Sequence, residues 1–471
     1  MYIVVRRKLL CGVALLLGLV LCSCKSLQSA QQPGMHPGTE TEEEAADKTP
    51  DDGQEEGYGT LLVSQGITLP VSLPSVYVDV TGYAADREKK VVFAGDRHGR
   101  TFDVVRSTDH TVVYTGRILE GQRDALSGAL LSVGEFTAFE EPGMYYIQTD
   151  IVGQSYPFAV AADTYERLFL KLLRNVSSGT MQESPEGVLD VSFGMHVIMY
   201  ALQCNGTLFE AAYEHLDKNE QEKQLVTQLL YMGKWLRSGQ QENGSLYDDY
   251  EATAAFCGIM AMSRDMFGRY ETHVGEEYQR AVTAAWDWLE RQPCNTKRER
   301  SARFYAAAQL FRSEGGEAYR TIAETFLREK KEDYTSERFV FYGVLSYISA
   351  EKDTDRDLCT YIMRDIVDKV EAVCEEIEKD CLFGIGTRSA EENMSNMLYL
   401  SFVNYLTPSK EYTAIIENTI QYMGGLNEHG SCYVSADGIW SDTEYIQGHR
   451  FEWNGILLLG MSDMLGNFSE N

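Results

Sequence analysis

Two hydrophobic rhythms divide this chain. Over residues 75–160, short runs rich in β-branched and aromatic side chains recur at 76–80, 90–93, 102–105, 111–114, 136–139, 144–147 and 156–160. Turn signals separate them, among them Ala94-Gly95-Asp96, Thr115-Gly116 and Glu141-Pro142-Gly143. Strands this short and this regularly punctuated predict an antiparallel β-sandwich. Beyond Ala162 the apolar residues recur at three and four instead, the spacing of one helix face. Asp163 is placed to cap a first helix over 164–173, and further amphipathic runs cover 223–236, 252–266, 276–291, 301–313, 317–327, 336–349, 355–377, 391–406, 410–423 and 454–465. Helices joined by short loops, with almost no strand signal, fit either a closed ring of alternating inner and outer helices or an open solenoid.

The N-terminus carries a different pattern. Arg6-Arg7-Lys8 precedes an apolar run at 9–21 that is too short to span a bilayer comfortably. Leu21-Cys22-Ser23-Cys24 resembles a bacterial lipobox, so residues 1–24 read as a lipoprotein signal peptide, with Cys24 acylated and the mature chain tethered outside the cytoplasmic membrane. A plain secretory signal or an uncleaved anchor is the alternative. Residues 25–74 hold few apolar side chains and two acidic runs, Glu42-Glu43-Glu44 and Asp51-Asp52-Gly53-Gln54-Glu55-Glu56. Burial there cannot offset chain entropy, so a disordered, self-repelling acidic spacer is expected. The division that follows is a sandwich at 75–162 and a helical domain at 163–471.

Composition narrows the partners. With 471 residues, 44% of them hydrophobic, the chain can bury the cores of two domains. A formal charge of -29 excludes nucleic acid and anionic membrane surfaces as natural partners, because both reward clustered Lys and Arg. A neutral polysaccharide meets no such objection. After Cys24 the cysteines are Cys204, Cys257, Cys294, Cys359, Cys374, Cys381 and Cys432, an odd set without metal-ligand spacing. Buried free thiols are expected, and neither a metal nor a cofactor.

The most informative stretch is Asp190-Val191-Ser192-Phe193-Gly194-Met195-His196-Val197-Ile198-Met199-Tyr200. It closely resembles the DVSGGWHDAGD active-site loop of glycoside hydrolase family nine, the cellulase and endoglucanase type. The resemblance extends over nearly all of 75–471. The strand region is similar to the immunoglobulin-like module that precedes the catalytic domain in many such cellulases, including Gly82-Tyr83 and Pro142-Gly143-Met144-Tyr145-Tyr146. Ala284-Ala285-Trp286-Asp287-Trp288 and Tyr305-Ala306-Ala307-Ala308-Gln309 are similar to its barrel helices, and Met423-Gly424-Gly425-Leu426-Asn427 and Gly430-Ser431-Cys432-Tyr433-Val434 to its later landmarks. The resemblance implies an immunoglobulin-like sandwich followed by an (α/α)6 barrel. It also implies inverting hydrolysis, which requires an acid and a base roughly 6.5–9.5 Å apart. Here the residues matching the family's Asp-Ala-Gly-Asp are Val197, Ile198, Met199 and Tyr200, and counting back from Trp453-Asn454 puts Gly448 where the proton donor belongs. All three carboxylates are absent from their places, and the terminal loop is shortened.

Three functions remain open. The chain could hold a β-glucan-type polysaccharide without cleaving it, since aromatic faces stack on sugar rings; Trp440, Tyr247, Tyr250, His196 and Trp453 are the candidates. It could hydrolyse with relocated acids, for which Glu444, Asp249 and Asp248 are the fallback residues. It could act as a non-catalytic surface scaffold.

Overall fold

The computed structural model describes residues 75–465, apart from 96–98, 125–127, 215–224, 269–271, 378–382, 386–388, 435–449 and 463. The expected signal peptide with Cys24, the acidic spacer, Trp440 and Glu444 lie outside the described residues.

The N-terminal unit is a two-sheet sandwich. One sheet runs β1 (Val76–Tyr77), β3 (Lys90–Ala94), β7 (Leu130–Glu135), β6 (Gln122–Arg123). The other runs β2 (Tyr83–Ala84), β10 (Phe158–Ala161), β8 (Gly143–Thr149), β4 (Thr101–Arg106), β5 (Val112–Arg117), with β9 (Gly153–Gln154) added to β8. Every pairing is antiparallel except that of β10 with β2. Alternation sets the core: on β4, Phe102 and Val104 are buried while Thr101 faces water. Tyr83 meets Phe136 and Phe158 edge-on at 5.2 Å each, a favoured aromatic geometry. One strand departs from the pattern. The expected strand at 136–139 is a turn, and the preceding Leu130–Glu135 pairs with β3 instead. Ser132 and Gly134 interrupt the apolar run there, and Gly134 is needed because a Cβ would run into the Phe102 ring.

Twelve helices are described after the sandwich: α1 (Thr164–Ser178), α2 (Pro185–Glu214), α3 (Leu225–Ser238), α4 (Tyr250–Phe267), α5 (Thr272–Arg291), α6 (Lys297–Glu314), α7 (Glu317–Lys330), α8 (Arg338–Ile348), α9 (Arg356–Ile377), α10 (Ala390–Leu406), α11 (Lys410–Met423) and α12 (Arg450–Ser462). The even-numbered helices follow one another round the ring, α8 meeting α10 through Phe341 against Tyr399 and Phe402 and α12 closing on α2, and the odd-numbered ones lie outside them. This is the α/α ring, and the solenoid alternative falls away. Inner helices are buried on nearly all sides: α8 exposes almost nothing between Phe339 and Tyr347, as an all-round apolar helix must.

The largest departure from expectation is α2. The stretch 190–200, read as a loop, lies inside this long helix, kinked only at Asn205. Phe193, Met195, Val197, Ile198 and Met199 point in every direction around the axis and are each no more than 1% exposed. Such a sequence has no polar face to leave in water, so burial as a central rod is its stable solution. Glycines allow the close crossing of α2 and α12. A Cβ on Gly194 would fall 2.5 Å from Phe451 Cβ and 3.0 Å from the Glu452 nitrogen. Gly194→Ala is therefore expected to destabilise by about 1–3 kcal/mol through overpacking, measured as a lower urea midpoint at unchanged slope.

In the chain, only Ala162 and Asp163 separate β10 from α1. Asp163 takes the N-cap position of α1 as expected, but its side chain makes no capping bond; its carboxylate accepts from Arg167 Nε at 2.8 Å. The Thr164 hydroxyl instead donates to the Tyr83 carbonyl at 3.0 Å. Across the interface the Val80 amide donates to the Gly424 carbonyl at 3.0 Å, and Gln421 Nε2 to that of Glu88 at 3.2 Å. The six described cysteines are all free thiols.

Candidate functional site

The inner helices start at a common end of the ring. Glu251 at the start of α4 meets Arg298 of α6 at 2.8 Å, Lys297 of α6 meets Glu337 before α8 at 2.8 Å, and Arg338 of α8 meets Glu452 of α12 at 2.5 Å. Helix N-termini carry partial positive charge and unpaired N–H groups, so carboxylates collect there. Asp190 is one of them. Near the start of α2, it accepts from the Phe451 and Glu452 amides at 3.3 and 3.2 Å and so caps α12. Burial, with Glu452 adding repulsion, pushes its carboxyl up to about 7.

That value would suit a general acid, but the surroundings do not. Asp190 is only 7% exposed and its two oxygens are engaged by backbone. Glu452 is equally committed. Its second oxygen accepts from the Tyr342 hydroxyl at 3.0 Å, opposite the Arg338 bond. The Arg338 guanidinium also lies 5.2 Å over the Phe193 ring, and the Glu452 charge holds it well above the ordinary arginine range. Above this pair, Glu391, Ser395, Tyr399 and Trp453 help line a cavity of about 40 Å³. That volume admits water, whereas ligand pockets run to several hundred cubic ångströms.

Deeper on the axis, His196 is 2% exposed. It stands 3.1 Å from the Tyr305 hydroxyl, 3.2 Å from Gln309 Nε2, and 4.7 Å between ring centres from Tyr342. Burial pushes its imidazole down to about 3, so it stays neutral. Its contacts are protein, not solvent, and Trp453 too is buried at 6%. Val197, which matches the first acid of the family's pair, packs against Gly455 of α12.

The fallback acids lie on the rim and support the loop. Tyr247 and Asp248 adopt left-handed conformations, φ 54° and 50°, which cost non-glycine residues energy and require fixing. Asp248 Oδ1 supplies it, accepting from Asn243 Nδ2 and the Ser245 hydroxyl at 2.9 Å each. Asp249 caps α4, accepting from the Ala252 amide at 2.8 Å. The strained turn leaves the Tyr247 ring 38% exposed, while Tyr250 is buried beside Trp288. The structure thus places Tyr247, Asp248 and Asp249 together on the rim and His196 and Trp453 inside. Sequence reasoning missed Arg338, Tyr342 and Tyr399. The available signal was a lone arginine opening the apolar run of α8, where a charge demands a buried partner.

Comparison with known proteins agrees with this architecture. Residues 72–154 match the cellulase N-terminal ig-like domain. Endoglucanase D of Acetivibrio thermocellus is 21% identical over 458 residues, covering 76% of this chain and 72% of that protein. A metagenome-derived glycoside hydrolase family 9 endoglucanase superposes with a TM-score of 0.65 at 16% identity, covering 83% of this chain and 98% of that one. A Bacteroides ovatus family 9 protein gives 0.62 at 14% identity, over 84% and 99%. The chain is similar to family 9 cellulases in both folded units, an immunoglobulin-like sandwich followed by an (α/α)6 barrel.

Proposed function

We propose that this is a family-nine-like protein of polysaccharide metabolism that has given up hydrolysis by the inverting route and holds a β-glucan-type polysaccharide, displayed outside the cytoplasmic membrane on a lipid at Cys24. One observation carries the loss of hydrolysis. Val197 occupies the place of a water-activating acid and is 1% exposed within α2, where no water could be activated. Asp190 and Glu452, buried carboxylates on the inner helices α2 and α12, are committed to amide donors and to Arg338. Asp248 and Asp249 hold the rim turn and the start of α4, which weighs against relocated acids. The likeness to an endoglucanase, the exposed Tyr247 ring and the tolerance of a -29 chain for a neutral polymer support the ligand class.

Incubation of residues 25–471 with β-1,4- and mixed-linkage glucans tests the reading. Retention on the glucan without release of reducing ends is expected, with Tyr247→Ala weakening retention by about tenfold, the effect of one lost stacking platform of roughly 1–1.5 kcal/mol. Release abolished by Glu444→Gln or Asp249→Asn would establish the relocated-acid hydrolase instead. Neither retention nor release would favour a scaffold. Loss of fatty-acid labelling in Cys24→Ala tests the anchor separately.

A further inference from the structure

We infer that the docking of the N-terminal sandwich on the helical ring is proton-linked: two buried carboxylates without a cation, Asp79 and Glu417, sit in that interface and hold the two units more tightly when they carry protons. Asp79 follows β1 and is 0% exposed. Its Oδ1 accepts from the Thr81 amide at 2.8 Å and the Thr81 hydroxyl at 2.6 Å, while its Oδ2 has no hydrogen-bond partner. The ring closes over it through Gly424, where a Cβ would stand 2.8 Å from the Asp79 Cγ. Glu417, on α11 and 7% exposed, accepts from the hydroxyl of Tyr165 on α1. Neither carboxylate has a basic nitrogen within 4.0 Å among the described residues.

The charged and titratable groups around them do not repair this. From the sandwich, Asp86 and Glu88 add negative charge beside Glu417, Arg87 acts on it only through space, and Glu140 acts on Lys89. Lys90 is paired with Glu88 at 2.9 Å. Lys89 is fully buried, yet its ammonium donates to the carbonyls of Ala85 and Arg87 at 2.6 and 2.8 Å rather than to an acid, so that it too acts on Glu417 only through space. The Tyr83 hydroxyl accepts from the Asp79 amide and donates to the Lys90 carbonyl. From the ring side, Glu428 is held by the Tyr422 hydroxyl, with His429 Nε2 at 3.6 Å; Tyr77 faces Glu428 from the sandwich.

Removing such carboxylates from water favours their neutral form. Burial pushes Asp79 up to about 7 and Glu417 upward as well. The sign follows from linkage: a raised folded-state value means the contribution is complete below the ordinary aspartate range and is lost as pH rises through about 7.

The test is native-state proteolysis of the full chain between pH 5 and 8.5, with rates normalised to an unstructured peptide carrying the same cleavage site. Cleavage at the junction around 161–164 is expected to accelerate with pH, up to about a hundredfold over this range if Asp79 alone is fully exposed on undocking. Asp79→Asn, a neutral mimic that keeps the Thr81 bonds, should remove most of that rise, and Glu417→Gln a smaller part. Cleavage at the ring turn between α6 and α7, where Gly316 and Glu317 are exposed, should not follow the same profile. A wild-type profile without slope, or parallel profiles in wild type and both single variants, would overturn the inference. A matching rise at the ring turn would do so too, by assigning the linkage to global unfolding.

Discussion

Val197→Asp, the substitution that restores the first missing acid, is expected to unfold the ring without producing hydrolysis. Val197 is 1% exposed, beside Ile198 and Met199 at 0%, and its Cγ1 lies against the backbone of Gly455. An aspartate there forfeits the apolar burial of valine and places a carboxylate where no donor faces it. The combined cost is about 3–5 kcal/mol, a large fraction of the 5–15 kcal/mol that ordinarily holds a domain together. The expected readout is a collapse in soluble yield, or a large drop in thermal midpoint for whatever remains folded. Val197→Ala, which loses methyl groups but adds no charge, should stay folded and lose only about 1–2 kcal/mol. A well-folded Val197→Asp, Tyr200→Asp double variant that releases reducing ends from glucan would refute the view that the acid positions have become core.

Arg338→Met carries the second large effect. It leaves Glu452, whose side chain is 4% exposed, with the Tyr342 hydroxyl as its remaining side-chain donor. Removing one partner of a buried pair costs about 3–5 kcal/mol because the other charge stays desolvated. The Arg338 side chain is 37% exposed, so solvent screening places the expected loss at the lower end. Glu452→Gln in the same background should recover much of it. A chemical-denaturation cycle over the two single variants and the double is expected to give a coupling above about 1 kcal/mol. Additive losses would mean that Arg338 stabilises the mouth by packing on Phe193 instead.

What could be read from the chain follows from how local each signal is. The outer helices announce themselves: α1, α5 and α9 each carry one apolar stripe, and their apolar spacing locates them within a few residues. The sandwich strands are equally plain where alternation holds, as over the first four residues of β4 before the bulge at Val104 and Val105. The signal failed where an element has no contrast. α2 is apolar on every side around 193–199, so no period distinguishes it from a buried loop, and the likeness of its residues to a catalytic loop pointed the wrong way. The rim acids fared similarly. Tyr247-Asp248-Asp249 was found as a cluster, but which oxygen caps a helix and which fixes a left-handed turn depends on Asn243, Ser245 and Ala252, and only the folded backbone sets those distances. The Arg338 pair spans 114 residues of sequence, and no local pattern reports a contact of that range.

The brevity of the joint between sandwich and ring has a mechanical consequence. With only Ala162 and Asp163 between β10 and α1, and with the Thr164 hydroxyl bonded back to the Tyr83 carbonyl, there is no hinge to absorb rotation. While docked, the two units therefore turn as one rigid lever, and a force applied at Ser75 reaches the helices without being dissipated at the joint.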